Sequence, residues 1–231
     1  MPSVLAPEAL TTLDNLKEAL GIADTSQDNA LERAINRATA WIESETNRKL
    51  KVRNYNGASG THSVSGVASE DYLYFDGATL GRSGDAVVNR RGLGELFLPQ
   101  FPVQQSGVSG ALAFELAVLS ERGSSVPGQT FDATQLVEWD DYVIDYLNGR
   151  VKLIGGVFAS GIRNYRITCT AGYQTIPADL EGLCLELASQ LYEDRKNLQS
   201  ETIGTWSRTF NTQKEDPFVS ATLAKYSLIP L

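Results

Sequence analysis

The residues in this chain that could do chemistry are few, and they are scattered. His62 is the single histidine, set in a Gly/Ser-rich stretch, so a Ser–His–acid triad would rest on one poorly supported imidazole. Glu138, Asp140 and Asp141 form a carboxylate cluster. Paired carboxylates hydrolyse glycosides when they face each other across a cleft. Asp140 and Asp141 are adjacent in sequence, so a solvated turn is the simpler reading. Cys169 and Cys184 fall on an alternating strand and on the apolar stripe of a helix. They read as small buried apolar residues; a disulfide between them is left open, and one histidine with two such cysteines makes a poor zinc set. Gly92-Leu93-Gly94 lacks the third glycine and the strand-to-helix setting of a phosphate loop. Arg90-Arg91 and the cluster Arg48, Lys49, Lys51 and Arg53 read first as solvated surface. Trp41, Trp139 and Trp206 are too far apart in sequence to form a stacking platform. No catalytic residue, cofactor site or metal site is assigned, and the profile is that of a protein that assembles rather than reacts.

The totals agree. Twenty Lys and Arg against 28 Asp and Glu leave a net charge of −8, which opposes tight binding to nucleic acid. A hydrophobic share of 42% is ordinary for a soluble protein. No apolar run approaches the ~18 residues of a membrane span, and the first residues lack the basic and apolar regions of a signal peptide.

The elements that must position any surface are clearest from Arg163 to Asn197. Tyr165, Ile167 and Cys169 alternate with Arg166, Thr168 and Thr170, as in a half-buried strand. Pro177 and Asp179 suit the start of a helix, and Leu180, Leu183, Cys184, Leu187, Ala188 and Leu191 make its apolar stripe. Near the amino end, Thr11 with Asp14 fits a capping box for a helix over Thr12 to Leu20, stopped by Gly21. Ser26 or Asp28 caps a longer helix whose face holds Leu31, Ala34, Ile35, Ala38, Trp41 and Ile42, ending near Thr46-Asn47.

Between these helical regions the period changes. Asn54 to Gly94 is rich in Gly, Ser, Asn and Asp and reads as an extended hairpin or surface insertion. Asp71–Phe75 is a strand candidate, Ala111 to Leu119 leans to strand, and Glu121 to Gln129 reads as a loop. Asn148-Gly149 predicts a two-residue hairpin turn pairing Tyr146 with Val151, Ile144 with Leu153 and Asp145 with Lys152, which the strand from Arg163 extends into a meander. Leu198 to Gln213 reads as a loop or extended arm. Asp216-Pro217 opens a last short helix with Phe218, Thr222, Leu223 and Tyr226 on helical spacing, before an apolar Leu228-Ile229-Pro230-Leu231 end. The fold class expected is α+β: a small helical bundle (two N-terminal helices, one long helix near 177–197, a short C-terminal helix) carrying a large β-rich hairpin/meander insertion.

Three segments, in order, resemble the head–tail connector (adaptor or head-completion) proteins of tailed bacteriophages. They are the helix pair from Leu13 to Leu50, the segment D-Y-V-I-D-Y-L-N-G-R-V-K-L from Asp141 to Leu153 with Phe101-Pro102-Val103 upstream, and the segment Tyr165 to Asn197 with T-A-G-Y, I-P-x-D-L and D-R-K-N. The stretch Asn54 to Gly94 is longer than that family leads one to expect. The resemblance implies a single connector domain over 1–231, with a β insertion over 50–96 and a C-terminal arm and tail over 198–231. It implies a structural virion protein forming a ring, commonly of twelve copies, under the portal at the capsid–tail junction. Its partners would be the portal protein, its own copies, the next connector or tail-completion protein, and genomic DNA passing through the lumen without specific binding. Assembly would take place in the host cytoplasm, with no membrane involved. The residues expected to bury themselves on the portal or a neighbouring subunit are Trp206, Phe210, Phe218, Tyr226, Leu228, Ile229 and Leu231. The rival reading is a β-rich virion decoration or tail-tip ligand-binding module, which leaves the amphipathic helices unexplained.

Overall fold

In a computed structural model the described residues are 4–58, 67–77, 95–105, 112–118, 136–156, 158, 161–198 and 217–227. His62, Arg90, Arg91, Gly92-Leu93-Gly94, Glu121 to Gln129, Trp206, Phe210 and Leu228 to Leu231 lie outside them. The chain divides into two compact units, residues 1–51 with 175–229, and residues 52–174 with 230–231. The first is helical and the second is β-rich, as the α+β expectation requires.

In the helical unit, α1 (Leu13–Leu20) and α2 (Asp28–Thr46) come from the amino end. α3 (Ala178–Leu198) and α4 (Pro217–Tyr226) follow the β-rich stretch. Helix α3 packs on α1, α2 and α4, and α2 also touches α1 and α4. Their stripes meet in a core of Leu16, Leu31, Ile35, Ile42, Leu180, Leu183 and Leu187, all essentially inaccessible to solvent. Burying one such side chain fully is worth ~1.5–3 kcal/mol, so the apolar stripes hold the bundle together far more than any cap does.

The helix ends refine the sequence reading. The cap of α1 is Thr12, whose hydroxyl accepts from the Asn15 amide at 3.2 Å, while Thr11 donates to Glu181. Gly21 closes α1 at φ 66 and returns amide bonds to the last carbonyls. Neither Ser26 nor Asp28 caps α2. Its N-cap is Gln27 with no side-chain bond, because the Ser26 hydroxyl is taken by Asp24 and Asp28 pairs with Lys17 at 2.8 Å. Asn47 ends α2 in the left-handed conformation at φ 52, a role Asn tolerates better than most residues. In α4 the buried row is Val219, Thr222, Leu223 and Tyr226, so Phe218 is displaced outward, 53% exposed.

The β-rich unit is organised on β8 (Gly161–Ala171). β1 (Arg53–Tyr55) pairs antiparallel with its carboxyl end, Tyr55 opposite Cys169. β2 (Ala68–Glu70) lies parallel to β1. β3 (Leu73–Gly77) and β5 (Glu115–Val118) both pair antiparallel with β8, and both meet it at Arg166 and Ile167, so they occupy its two edges. The start of the polar stretch after Leu50 is thus not a hairpin folded on itself. One large apolar residue per short strand, Tyr55 and Phe75, is enough to seat it in the core beside Tyr165, Ile167 and Phe158. A second sheet has the order β4 (Glu95–Phe97), β7 (Arg150–Leu153), β6 (Tyr142–Asp145).

The β6–β7 hairpin exists where the sequence places it, but its register differs by two residues. Asp145 pairs with Arg150, Ile144 with Val151 and Val143 with Lys152, leaving a four-residue loop. The cause is the Asp145 carboxylate, which accepts from the Leu147 and Asn148 amides and from the Asn148 side chain at 2.8 Å. These bonds close a wider turn in which only Gly149 adopts positive φ, so the two-residue turn, which needs positive φ at both positions, does not form. A shift of two preserves the faces, and Val151 remains buried. Nor does β8 continue this hairpin as a meander: the other edge of β7 is taken by β4.

Candidate partner-binding surface

Of the seven residues expected to meet a partner, two, Phe218 and Tyr226, fall among the described residues. Trp206, Phe210, Leu228, Ile229 and Leu231 lie outside the described residues. Phe218 is exposed, as a docking residue must be. Tyr226 is 4% exposed and sits within its own unit. Its hydroxyl donates to Asp179 Oδ1 at 2.5 Å, and Lys225 Nζ lies 2.6 Å from Asp179 Oδ2. The Lys225 hydrogen bond, followed by that from Tyr226, holds the Asp179 carboxyl below its usual range. Asp179 also lies in the first turn of α3, where the helix dipole favours its charge. Arg48, 2% exposed, donates from Nη1 to the Tyr226 carbonyl at 2.8 Å. Beside it the 8%-exposed Glu43 accepts from Lys49 Nζ at 3.0 Å and from the Leu50 amide. Two ionic anchors therefore hold the end of α4, one at the start of α3 and one just past α2. The arginine and lysine cluster at 48–53 is correspondingly not a solvated patch throughout. Arg48 is inside, and Arg53, 4% exposed, pairs with Glu70.

Among the described residues, the large apolar side chains that face outward lie mostly in the β-rich unit. Trp139, Leu147, Ile154 and Val143 are 79, 72, 57 and 56% exposed, and Leu136 is 38% exposed. Part of this surface forms an open cleft of about 350 Å³ lined by Phe114, Glu115, Leu136, Val137, Glu138, Trp139 and Tyr142. The cleft exists because residue 136 bridges to Ala117 on β5 and the Val137 amide donates to the Leu116 carbonyl, bringing residues far apart in sequence side by side. The rings of Phe114 and Tyr142 pack at 5.7 Å, and the Tyr142 hydroxyl donates to the Phe114 carbonyl. Burial, followed by the nearby Tyr146 and Glu115, pushes the Tyr142 phenol up, so it stays a neutral donor. Sequence reasoning passed over Trp139, Val143, Leu147 and Ile154. The available signal was an outward residue of β6 that was itself greasy, Val143 opposite Lys152.

The same turn disposes of the carboxylate cluster. Glu138, Asp140 and Asp141 are all exposed, and the Asp141 amide closes the turn on the Glu138 carbonyl at 3.0 Å. The two cysteines are free and buried in different units. Burial pushes the Cys169 thiol up to about 12 and the Cys184 thiol up to about 11. Both are therefore inert as thiolates at neutral pH. Among the described residues there is no group of three or more potential metal ligands, and no helix is long and apolar enough to cross a membrane.

No curated protein matches the chain by sequence. Residues 10–91, which run from the start of α1 past β3, match the family model described as phage gp6-like head–tail connector protein. Two solved structures share the fold. One is a chain from the neck of an empty GTA particle computed with C6 symmetry, with a TM-score of 0.53 and 16% identity, covering 100% of this chain and 96% of that one. The other is from the neck of a native GTA particle computed with C12 symmetry, with a TM-score of 0.51 and 18% identity, covering 99% of this chain and 93% of that one. The resemblance read from the sequence is thereby borne out: over residues 10–91 the chain carries the phage gp6-like head–tail connector signature, on a fold shared with chains of GTA particle necks.

Proposed function

We propose that this chain is a structural protein of a virion neck, forming a ring under the portal that joins capsid to tail and extends the channel for DNA. The observation that carries the reading is the coincidence of the connector signature over 10–91 with a fold that aligns along the whole chain with neck chains computed with sixfold and twelvefold symmetry. Twelve copies is the number the reading adopts. The partners are the portal protein, the neighbouring copies and the next connector or tail-completion protein, met at the capsid–tail junction after assembly in the host cytoplasm. The work is contact rather than catalysis. A net charge of −8 suits a lumen that lets DNA slide without holding it.

Phe218 and the residues beyond α4, with Trp206 and Phe210 upstream, are the proposed contacts to the portal or a neighbouring copy. Tyr226 supports them from inside by fixing the end of α4. This sharpens the choice of truncation. Removing Pro217 to Leu231 takes away a helix with four buried residues and both of its anchors, and tests folding as much as assembly. Removing only Leu228 to Leu231 leaves α4 and its anchors in place. Electron microscopy of the full chain mixed with its portal should show a ring coaxial with the portal. The chain shortened after Ser227 should melt like the full chain but join heads to tails poorly. Full-length chains that stay monomeric beside the portal overturn the reading.

A further inference from the structure

The open cleft has a definite chemical character. Its floor and walls are aromatic and aliphatic, and Glu115 and Glu138 stand among its lining residues. An indole 79% exposed beside carboxylates is matched best by guanidinium groups, which stack on aromatic faces and pair with carboxylates at once. The same chain presents such a surface. Arg33, Arg37 and Trp41 recur at every fourth residue of α2 and so lie in one row. Both arginines are exposed, and Trp41 is half-buried. Neither arginine forms an ion pair or hydrogen bond with another described residue.

Resting on the ring reading above, we infer that the acidic aromatic cleft around Trp139 of one copy receives the Arg33–Arg37 face of α2 from the next copy. Charge complementarity selects this occupant, since the two surfaces carry opposite signs and each includes an indole. The contact is heterologous: every copy owns one cleft and one basic row, so each copy binds a neighbour on either side. Repetition of such a contact closes into a ring when the rotation between copies allows it. A cleft this small makes each contact weak alone. Closure, and the portal that templates it, make the set stable.

The test uses the full chain assembled on its portal, read by native mass spectrometry and electron microscopy. Trp139→Ala should cut the yield of rings about thirtyfold, the scale of a lost aromatic anchor at an interface. Glu115→Arg with Glu138→Arg should do the same, and so should Arg33→Glu with Arg37→Glu. Mixing the two charge-reversed chains should restore rings in which the two alternate, and the quadruple reversal on one chain should restore rings by itself. A second measurement is covalent. Glu138→Cys with Arg37→Cys on one chain should give an oxidised ladder of linked copies, with the buried Cys169 and Cys184 silent. Rings that form normally with Trp139→Ala and both charge reversals, and give no ladder, overturn this contact and leave the ring reading standing. A wild-type chain that forms no ring overturns both.

Discussion

The helical unit and the β-rich unit solve the same problem of buried and exposed groups in opposite ways. In the helical unit the charges that go inside have named partners: Arg48 on the Tyr226 carbonyl, Glu43 on Lys49 and the Leu50 amide, Asp179 on Lys225 and Tyr226. Among its described residues, the exposed large apolar ones are Val4 and Phe218. The β-rich unit also pairs its buried polar groups, as in the Thr170 hydroxyl donating to Asn54 at 2.6 Å. Yet it leaves Leu136, Trp139, Val143, Leu147 and Ile154 in water, all from one stretch of nineteen residues, 136–154. Apolar side chains scattered singly are normal on a surface, whereas a concentration of them marks a binding region. The difference separates the part of the chain that holds itself together from the part that has surface to offer.

The comparison is easiest to break in the helical core. Ile35 is fully buried between the stripes of the bundle. Ile35→Ala should cost about 3 kcal/mol, the transfer loss plus a cavity, seen as an earlier urea midpoint. A loss under about 1 kcal/mol would mean that this unit is not well packed and the contrast is false. Arg48→Ala should cost about 2 kcal/mol, because it strips a buried partner from the Tyr226 carbonyl and leaves Glu43 near a gap. The same urea titration checks it.

Much of this contrast was legible in advance, and the misses share a cause. The helices and their buried rows follow from three- and four-residue spacing, and Gly21 and Asn47 mark their stops. Those are local rules. The hairpin at Asn148-Gly149 was also visible, but its register depended on one carboxylate, Asp145, accepting from the Leu147 and Asn148 amides instead of facing Lys152. The row on α4 holds Thr222, Leu223 and Tyr226 as read, with Val219 buried in place of the exposed Phe218. The strand at Asp71–Phe75 was visible, but the pairing of β1 and β3 with β8 was hidden, because β8 lies far along the chain and each short strand brings only one large buried apolar residue to the shared core. The cleft was invisible for the same reason: Phe114 and Trp139 meet only through the pairing of residue 136 with β5.

A smaller effect sharpens the comparison by pH. The folded Asp179 carboxyl titrates below its ordinary value of 3.8, so its contribution is complete above that value and fades as pH falls toward the folded one. Asp179→Asn should therefore lower stability by about 1 kcal/mol at pH 7, and the gap between variant and wild type should close below about pH 4. Thermal melts across pH 3 to 7 measure it. A gap that persists unchanged at pH 3 would show that packing of the side chain, rather than its charge on Lys225 and Tyr226, holds α4 to α3.

The smallest effect is the most discriminating. If the exposed apolar residues of the β-rich unit are there for a partner, their removal should leave the isolated fold alone. Val143→Thr keeps a β-branched residue on β6, opposite Lys152, and changes only what water meets. It should shift stability by no more than about 0.5 kcal/mol, and Leu147→Ser, in the loop beyond β6, should behave alike. Both should reduce self-association of the free chain at high concentration, read by sedimentation velocity, since each removes apolar surface without touching a core contact. A loss of stability as large as that of Ile35→Ala would place these side chains in the folding of their own chain. The contrast between a self-sufficient unit and a unit with surface to offer would then disappear.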